Sequence, residues 1–129
     1  MSQFMFMTIN AQSLAGHAKR IALDSLIKDH KPDVVGVTET WLKKEMSFSM
    51  NNYKVVRSDR ISRGGGVAVV IKCNIDHQRI LLPTMISFEA VAIKLLHVDG
   101  STTVFVSAYK KPSSNFDPNE WTRMLDSLP

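Results

Sequence analysis

The sequence predicts a mixed α/β domain with a largely antiparallel sheet and an N-terminal β-α-β unit. Over residues 4–38 the apolar pattern changes from a short continuous run to a helical period and back to a continuous run. After residue 53 the apolar runs are short, and brief connections rich in turn-forming residues separate them. The chain has 129 residues with 44% hydrophobic content, which is enough for one domain with a packed core.

The β-α-β unit is built from two short apolar strands around one helix. Strands are predicted at residues 4–9 and 34–38, and the helix at residues 17–30. The predicted apolar face of the helix consists of Ala18, Ile21, Ala22, Leu26 and Ile27. Pro32 ends the helix, because proline lacks a backbone N–H and disfavours helical dihedrals in the residue before it. The helical crossover makes the two strands parallel.

The rest of the chain is predicted to form antiparallel strands, because its connections are too short for parallel crossovers. The predicted strands cover residues 53–57, 67–72, 79–82, 88–95 and 102–109. Asp99-Gly100 supplies a hairpin turn, and the glycines at 64–66 predict a tight turn that only glycine fits. A loop is predicted at residues 112–118, and a final helix at residues 119–128.

Composition and charge favour some classes of protein and exclude others. The net charge is +4 and the pI is about 9.4, which suits a polyanionic partner without establishing one. Cys73 is the only cysteine, so these residues hold neither a disulfide framework nor a cysteine-based zinc site. No apolar run approaches the ~18 residues of a bilayer span, and residues 1–8 lack the features of a signal peptide. We therefore expect an intracellular protein with no membrane partner.

Two oxygen-bearing side chains follow the parallel strands. Asn10 ends the first strand, and Glu39 ends the second in the segment PDVVGVTETWL. Parallel strands bring their carboxyl ends to the same edge of a sheet, where open α/β sheets bind ligands. One amide oxygen and one carboxylate form a hard site that suits Mg²⁺. The alternative is that Asn10 forms a turn and Glu39 is a solvated strand end.

Other candidate residues lie at strand ends and loops. Tyr109 closes an apolar strand, where a tyrosine either packs amphipathically or presents a catalytic hydroxyl. Basic residues that could meet phosphates, or simply form a solvated face, are Arg57, Arg60, Arg63, Lys110 and Lys111. The four histidines show no metal-ligand spacing.

Five ordered segments resemble the first half of the endonuclease/exonuclease/phosphatase superfamily. They are TINAQSL at 8–14, PDVVGVTETWL at 32–42, YKVVRSDR at 53–60, GGGVAVVIK at 64–72 and VSAYKKP at 106–112. The strongest resemblance is to the endonuclease domain of non-LTR (LINE-type) retrotransposons, chiefly through the TETWL and GGGVAVVIK forms. It implies a partial four-layered α/β sandwich and cleavage of DNA phosphodiesters with Mg²⁺, or with Mn²⁺ as the alternative ion. It also implies a nuclear location and, in a full-length parent, a downstream reverse transcriptase.

The resemblance assigns a role to three of the candidate residues. It implies that Asn10 is the active-site asparagine, Glu39 the metal-binding glutamate, and Tyr109 the tyrosine that places the scissile phosphate.

The later motifs of the superfamily are absent from residues 1–129: an aspartate-x-asparagine, a further aspartate and an aspartate–histidine pair. We therefore expect the N-terminal portion of such a domain, lacking its C-terminal half and inactive alone. The alternatives are a non-enzymatic nucleic-acid-binding remnant and a phosphatase acting on another phosphate ester, such as a phosphoinositide.

Overall fold

Two sheets and two helices make up the part of the chain that the computed structural model describes, residues 3–113 and 115–129. In chain order the elements are β1 (Phe6–Asn10), α1 (His17–His30), β2 (Val34–Thr38), β3 (Tyr53–Ser58), β4 (Val67–Lys72), β5 (His77–Ile80), β6 (Glu89–Leu96), β7 (Thr102–Tyr109) and α2 (Pro118–Ser127). Neither helix has the length and apolarity that crossing a bilayer requires, within the residues described.

The first sheet has the strand order β1-β2-β4-β3. Its strands β1 and β2 are parallel, with Asn10 opposite Thr38, while β4 runs antiparallel to both of its neighbours. The second sheet is an antiparallel meander with the order β5-β6-β7. The prediction of a mixed α/β fold with largely antiparallel sheets and an N-terminal β-α-β unit is therefore confirmed.

Side chains of the first sheet alternate between two apolar layers. Val35 and Val37 of β2 pack with α1 on one side, while Val34 points into the layer between the sheets. Gly36 faces the second sheet as well, and a Cβ there would lie 3.2 Å from the Phe105 ring. The sheets thus approach closely at the middle of β2.

The buried face of α1 differs from the predicted one. Leu23 and Ile27 are its buried residues, whereas Ile21 is 55% exposed. At 3.6 residues per turn, Ile21 lies about 200° around the helix from Leu23, so the two cannot face the same sheet. The periodicity alone did not select between overlapping apolar stripes.

The C-terminal helix α2 is fixed by polar contacts at its first turn. Asp117 caps it by accepting a hydrogen bond from the Asn119 amide at 2.9 Å. Glu120 accepts hydrogen bonds from the Ile86 amide at 2.8 Å and from the Ser87 amide at 2.7 Å. The helix is thereby attached to the segment that leads into β6.

Candidate functional site

Asn10 and Glu39 lie at neighbouring ends of the parallel strands, as predicted. Beyond the strands the two backbones remain paired: the Ala11 amide donates to the Thr38 carbonyl and the Ser13 amide to the Glu39 carbonyl, both at 2.9 Å. Glu39 itself has a φ of 53°, in the left-handed region that non-glycine residues rarely adopt. The backbone therefore turns at Glu39 and presents its side chain at the edge of the sheet.

The glycine-rich turn supports the backbone on the other side of Glu39. Thr40, which is fully buried, donates its amide to the Gly66 carbonyl at 3.2 Å, and Trp41 donates to the Gly65 carbonyl at 2.8 Å. Gly64, Gly65 and Gly66 all have positive φ, and a Cβ on Gly66 would collide with the Thr40 hydroxyl. This confirms the prediction of a turn that only glycine fits.

Tyr109 belongs to the second sheet but meets Glu39 at the same edge. Its pKa is raised above the usual value, first by burial and then by the negative charge of Glu39 and a hydrogen bond to that carboxylate. The positive charge of Arg60 opposes this rise, and Glu89 adds to it weakly. The fold thus brings together two of the three residues that the sequence singled out, from strands in different sheets.

Asn10 has a local partner. Its side-chain Oδ1 accepts a hydrogen bond from the Gln12 amide at 3.2 Å, which is the geometry of a turn-forming asparagine. The residue also lines a cavity of about 350 Å³, together with Thr38 and Ser107. The structure therefore shows the turn role of Asn10, while its role towards an ion or a phosphate stays a prediction.

The oxygen atoms at this edge fit a magnesium ion only in part. Glu39 offers a carboxylate and Asn10 an amide oxygen, and Mg²⁺ is usually held by one or two carboxylates together with water and phosphate oxygens. In residues 3–113 and 115–129, no three His, Cys, Asp or Glu side chains cluster as a metal site. The donors present therefore suit an ion that takes its remaining ligands from water and a substrate phosphate.

Glu89 is a component of the site that the sequence reasoning missed. Its Oε1 accepts a hydrogen bond from the Gly66 amide at 2.7 Å, and its Oε2 accepts two from the Arg60 guanidinium. Glu89 also lies opposite Tyr109 in the β6–β7 pairing. A charged residue at the start of the apolar run EAVAIKLL was the available signal for it.

Two of the basic residues predicted to bind nucleic acid are already engaged within the chain. Arg57 donates to the carbonyls of three residues between 43 and 46 and pairs with Asp59 at 3.2 Å. Arg60 pairs with Glu89. Arg63, in contrast, is exposed, with its guanidinium over the Trp41 ring.

The remaining basic candidates, Lys110 and Lys111, are exposed just after β7, and the Lys110 amine donates to the Lys111 carbonyl at 3.0 Å. They therefore lie directly beyond Tyr109. Nucleic-acid binding by any of the five basic residues stays a prediction.

Comparisons with known proteins identify the fold independently. A family model described as the endonuclease/exonuclease/phosphatase family matches residues 7–126. The chain is similar to an endonuclease/exonuclease/phosphatase family protein from Leptotrichia buccalis C-1013-b, with a TM-score of 0.67 and 15% identity, over 98% of this chain and 64% of that one. It is also similar to the AP endonuclease LMAP from Leishmania major, with a TM-score of 0.63 and 20% identity, over 82% of this chain and 40% of that one. No curated protein matches it.

These matches differ in what they establish. At 15% and 20% identity the two solved structures show the fold alone, and the chain spans 64% and 40% of their lengths. The family model shows more, because it covers all but the first six and the last three residues. The superfamily predicted from the sequence is therefore confirmed, while the retrotransposon type stays a prediction. The chain belongs to the endonuclease/exonuclease/phosphatase family.

Proposed function

We propose that the chain is the N-terminal portion of a Mg²⁺-dependent endonuclease that hydrolyses DNA phosphodiesters, of the non-LTR retrotransposon type. In its parent protein it would act in the nucleus, upstream of a reverse transcriptase. The observation that carries the proposal is that Tyr109 lies close enough to Glu39 for that carboxylate to raise its pKa, so that residues of both sheets meet at the edge where Asn10 also lies. Family membership and the segments TETWL and GGGVAVVIK support it.

Each residue has a task that its surroundings allow. Tyr109 keeps its proton at neutral pH, as any phenol that ionises near pH 10 does, and its surroundings raise its pKa further. When Glu39 holds the ion, this hydroxyl would be a hydrogen-bond donor for a phosphate oxygen. Glu39 would hold the ion, and Asn10 would orient either the ion or the phosphate. When bound, the ion supplies positive charge that offsets the charge developing on the phosphate oxygens.

On this proposal, residues 1–129 do not cleave DNA by themselves. In the described ranges no third acidic or histidine ligand joins Glu39. His77 and His97 lie at the far end of the second sheet, since His77 pairs with Leu95 whereas Tyr109 pairs with Glu89. A missing acid–base group typically lowers an enzymatic rate by ~10²–10⁴-fold.

The test separates metal binding from cleavage. We expect Mn²⁺, followed by electron paramagnetic resonance as a probe for Mg²⁺, to bind the chain weakly, and Glu39→Gln to abolish this binding. Glu45→Gln, which removes an exposed carboxylate elsewhere, is the matched control. Unchanged Mn²⁺ binding in Glu39→Gln would contradict the assigned metal ligand.

A plasmid-nicking assay with Mg²⁺ tests the reaction itself. We expect the purified chain to nick DNA no faster than Glu39→Ala, while binding DNA weakly and in a salt-sensitive way. Robust nicking that Glu39→Ala removes would show a complete site and disprove the inactivity of the chain alone. Binding of phosphoinositide vesicles but not of DNA would favour a phosphatase of another phosphate ester.

A further inference from the structure

Arg63 and Trp41 form a cation–π pair in the segments that flank the glycine-rich turn and follow Glu39. The Arg63 guanidinium carbon lies 5.8 Å from the centre of the Trp41 ring, within the range of a cation–π contact. Trp41 is two residues after Glu39, so their Cα atoms are at most about 7 Å apart. The pair therefore involves the segment that directly follows the proposed ion ligand.

The backbones of both residues are held by hydrogen bonds to their neighbours. Trp41 has a φ of 56°, and its amide donates to the Gly65 carbonyl at 2.8 Å. The Arg63 carbonyl accepts a hydrogen bond from the Arg60 guanidinium at 3.5 Å. The indole N–H of Trp41 is buried and has no acceptor in the described part of the chain, so packing alone fixes the ring.

The charge of Arg63 distinguishes it from the neighbouring arginines. Arg57 and Arg60 are neutralised by Asp59 and Glu89. Arg63 is exposed and takes part in none of the ion pairs found among residues 3–113 and 115–129. A cation–π contact uses the face of a guanidinium and leaves its edge N–H groups free, and these match two phosphate oxygens.

We propose that the Trp41–Arg63 pair is a binding subsite for a DNA-backbone phosphate that flanks the one at Glu39. Trp41 restricts the guanidinium to one position, and Arg63 donates two hydrogen bonds to the phosphate. The inference deepens the proposed function and rests on it for the choice of DNA as ligand.

The salt dependence of DNA binding tests the proposal, because it measures direct phosphate contacts. With a fluorescent duplex and the full chain, we expect Arg63→Ala to reduce the slope of log K against log salt by about 0.9, the value for one phosphate contact. Lys54→Ala is the matched control. It removes one exposed positive charge at the opposite end of the first sheet, where Lys54 pairs with Ile71, and should leave the slope unchanged.

Two further variants examine the cation–π contact. Trp41→Leu keeps the charge and should weaken DNA binding about 2- to 5-fold, as expected for the loss of an exposed cation–π contact. Arg63→Lys should restore the slope without restoring the full affinity, because lysine has no planar fork. Circular dichroism checks that each variant folds. If Trp41→Leu does not fold, the two Arg63 variants still test the proposal, because Arg63 is exposed.

The outcomes separate the inference from the proposed function. If the unmodified chain binds DNA and Arg63→Ala has the same slope as Lys54→Ala, the subsite is disproved and the proposed function stands. If the unmodified chain binds no DNA at low salt, both are disproved.

Discussion

At the scale of single residues, the contact between Tyr109 and Glu39 determines how the phenol titrates. Removing the Glu39 charge should lower the Tyr109 pKa, because that charge and its hydrogen bond are what raise it beyond the effect of burial. Tyr53 is the only other tyrosine, so a Tyr53→Phe background isolates the Tyr109 signal. In that background, absorbance titration of Glu39→Gln should show ionisation at lower pH than the parent.

Asp126→Asn is the control for this titration, since Asp126 is not among the groups that act on Tyr109. An unchanged Tyr109 titration in Glu39→Gln would mean that the two side chains do not meet in solution. The association of the two sheets at this edge would then need another explanation.

Glu89 joins the glycine-rich turn to the second sheet through one carboxylate. Replacing it with alanine leaves the Gly66 amide and the Arg60 guanidinium without their acceptor, and hydrogen bonds to charged groups contribute about 1.5–3 kcal/mol each when well buried. Because the Arg60 and Glu89 side chains are 20% and 23% exposed, solvent screening reduces this value. We expect Glu89→Ala to lower the free energy of unfolding by ~1–3 kcal/mol.

Chemical denaturation measures this loss, with Glu45→Ala as a surface control that should change stability by less than ~0.5 kcal/mol. A double-mutant cycle with Arg60→Ala should be non-additive, because the two residues share one contact. Additive effects would contradict the pairing of Glu89 with Arg60.

At the scale of elements, the attachment of α2 depends on an ionised carboxylate. The hydrogen bonds from the Ser87 amide and hydroxyl and from the Ile86 amide hold the Glu120 pKa below its usual 4.5. A carboxylate whose pKa is lower in the folded state stabilises the protein above pH ~4.5, and this contribution is lost as the pH falls through the folded-state pKa. Glu120→Gln should therefore melt at a lower temperature than the parent at neutral pH.

The difference in melting temperature between the two proteins should shrink once the pH falls below 4.5, the usual value for the Glu120 carboxyl. Thermal melts followed by circular dichroism across acidic and neutral pH provide the measurement. A difference that stays constant over this range would show that the charge of Glu120 does not hold α2.

The strands were easier to predict from the sequence than the packing of α1. Short apolar runs predicted where the strands lie, and β2, β4 and β7 have the predicted bounds. Strand β5 begins at His77 instead of residue 79, because its limits are set by pairing with β6 and not by its own apolar residues. The prediction that Ile21 belongs to the buried face of α1 was wrong, because more than one apolar stripe of this helix fits the helical period.

At the scale of the whole molecule, the sequence predicted only those neighbours in the candidate site that belong to consecutive elements of one sheet. The position of Asn10 beside Glu39 follows from the β-α-β unit and needed no further information. The approach of Tyr109 and Glu89 depends on how the second sheet faces the first, which no local pattern encodes. Glu89 was therefore missed, although it accepts hydrogen bonds from both Arg60 and the Gly66 amide.

The two sheets also differ in how far apart along the chain their paired strands lie, and this has a kinetic consequence. Strands β5, β6 and β7 are consecutive, and only residues 97–101 separate β6 from β7. Pairing β1 with β2 closes a segment that includes α1, and β2 pairs with β4 across the intervening β3. Because closing longer loops loses more chain entropy before contacts form, we expect the second sheet to fold first.

Pulse-labelling hydrogen exchange during refolding can follow this order. The amides of β6 and β7 should become protected before those of β1 and β2, and the reverse order would contradict the expectation. Glu39 belongs to the slower sheet and Tyr109 to the faster one. The approach of these two side chains therefore reports the final docking step, and a folding intermediate of this chain would carry the tyrosine in place while the carboxylate is still unstructured.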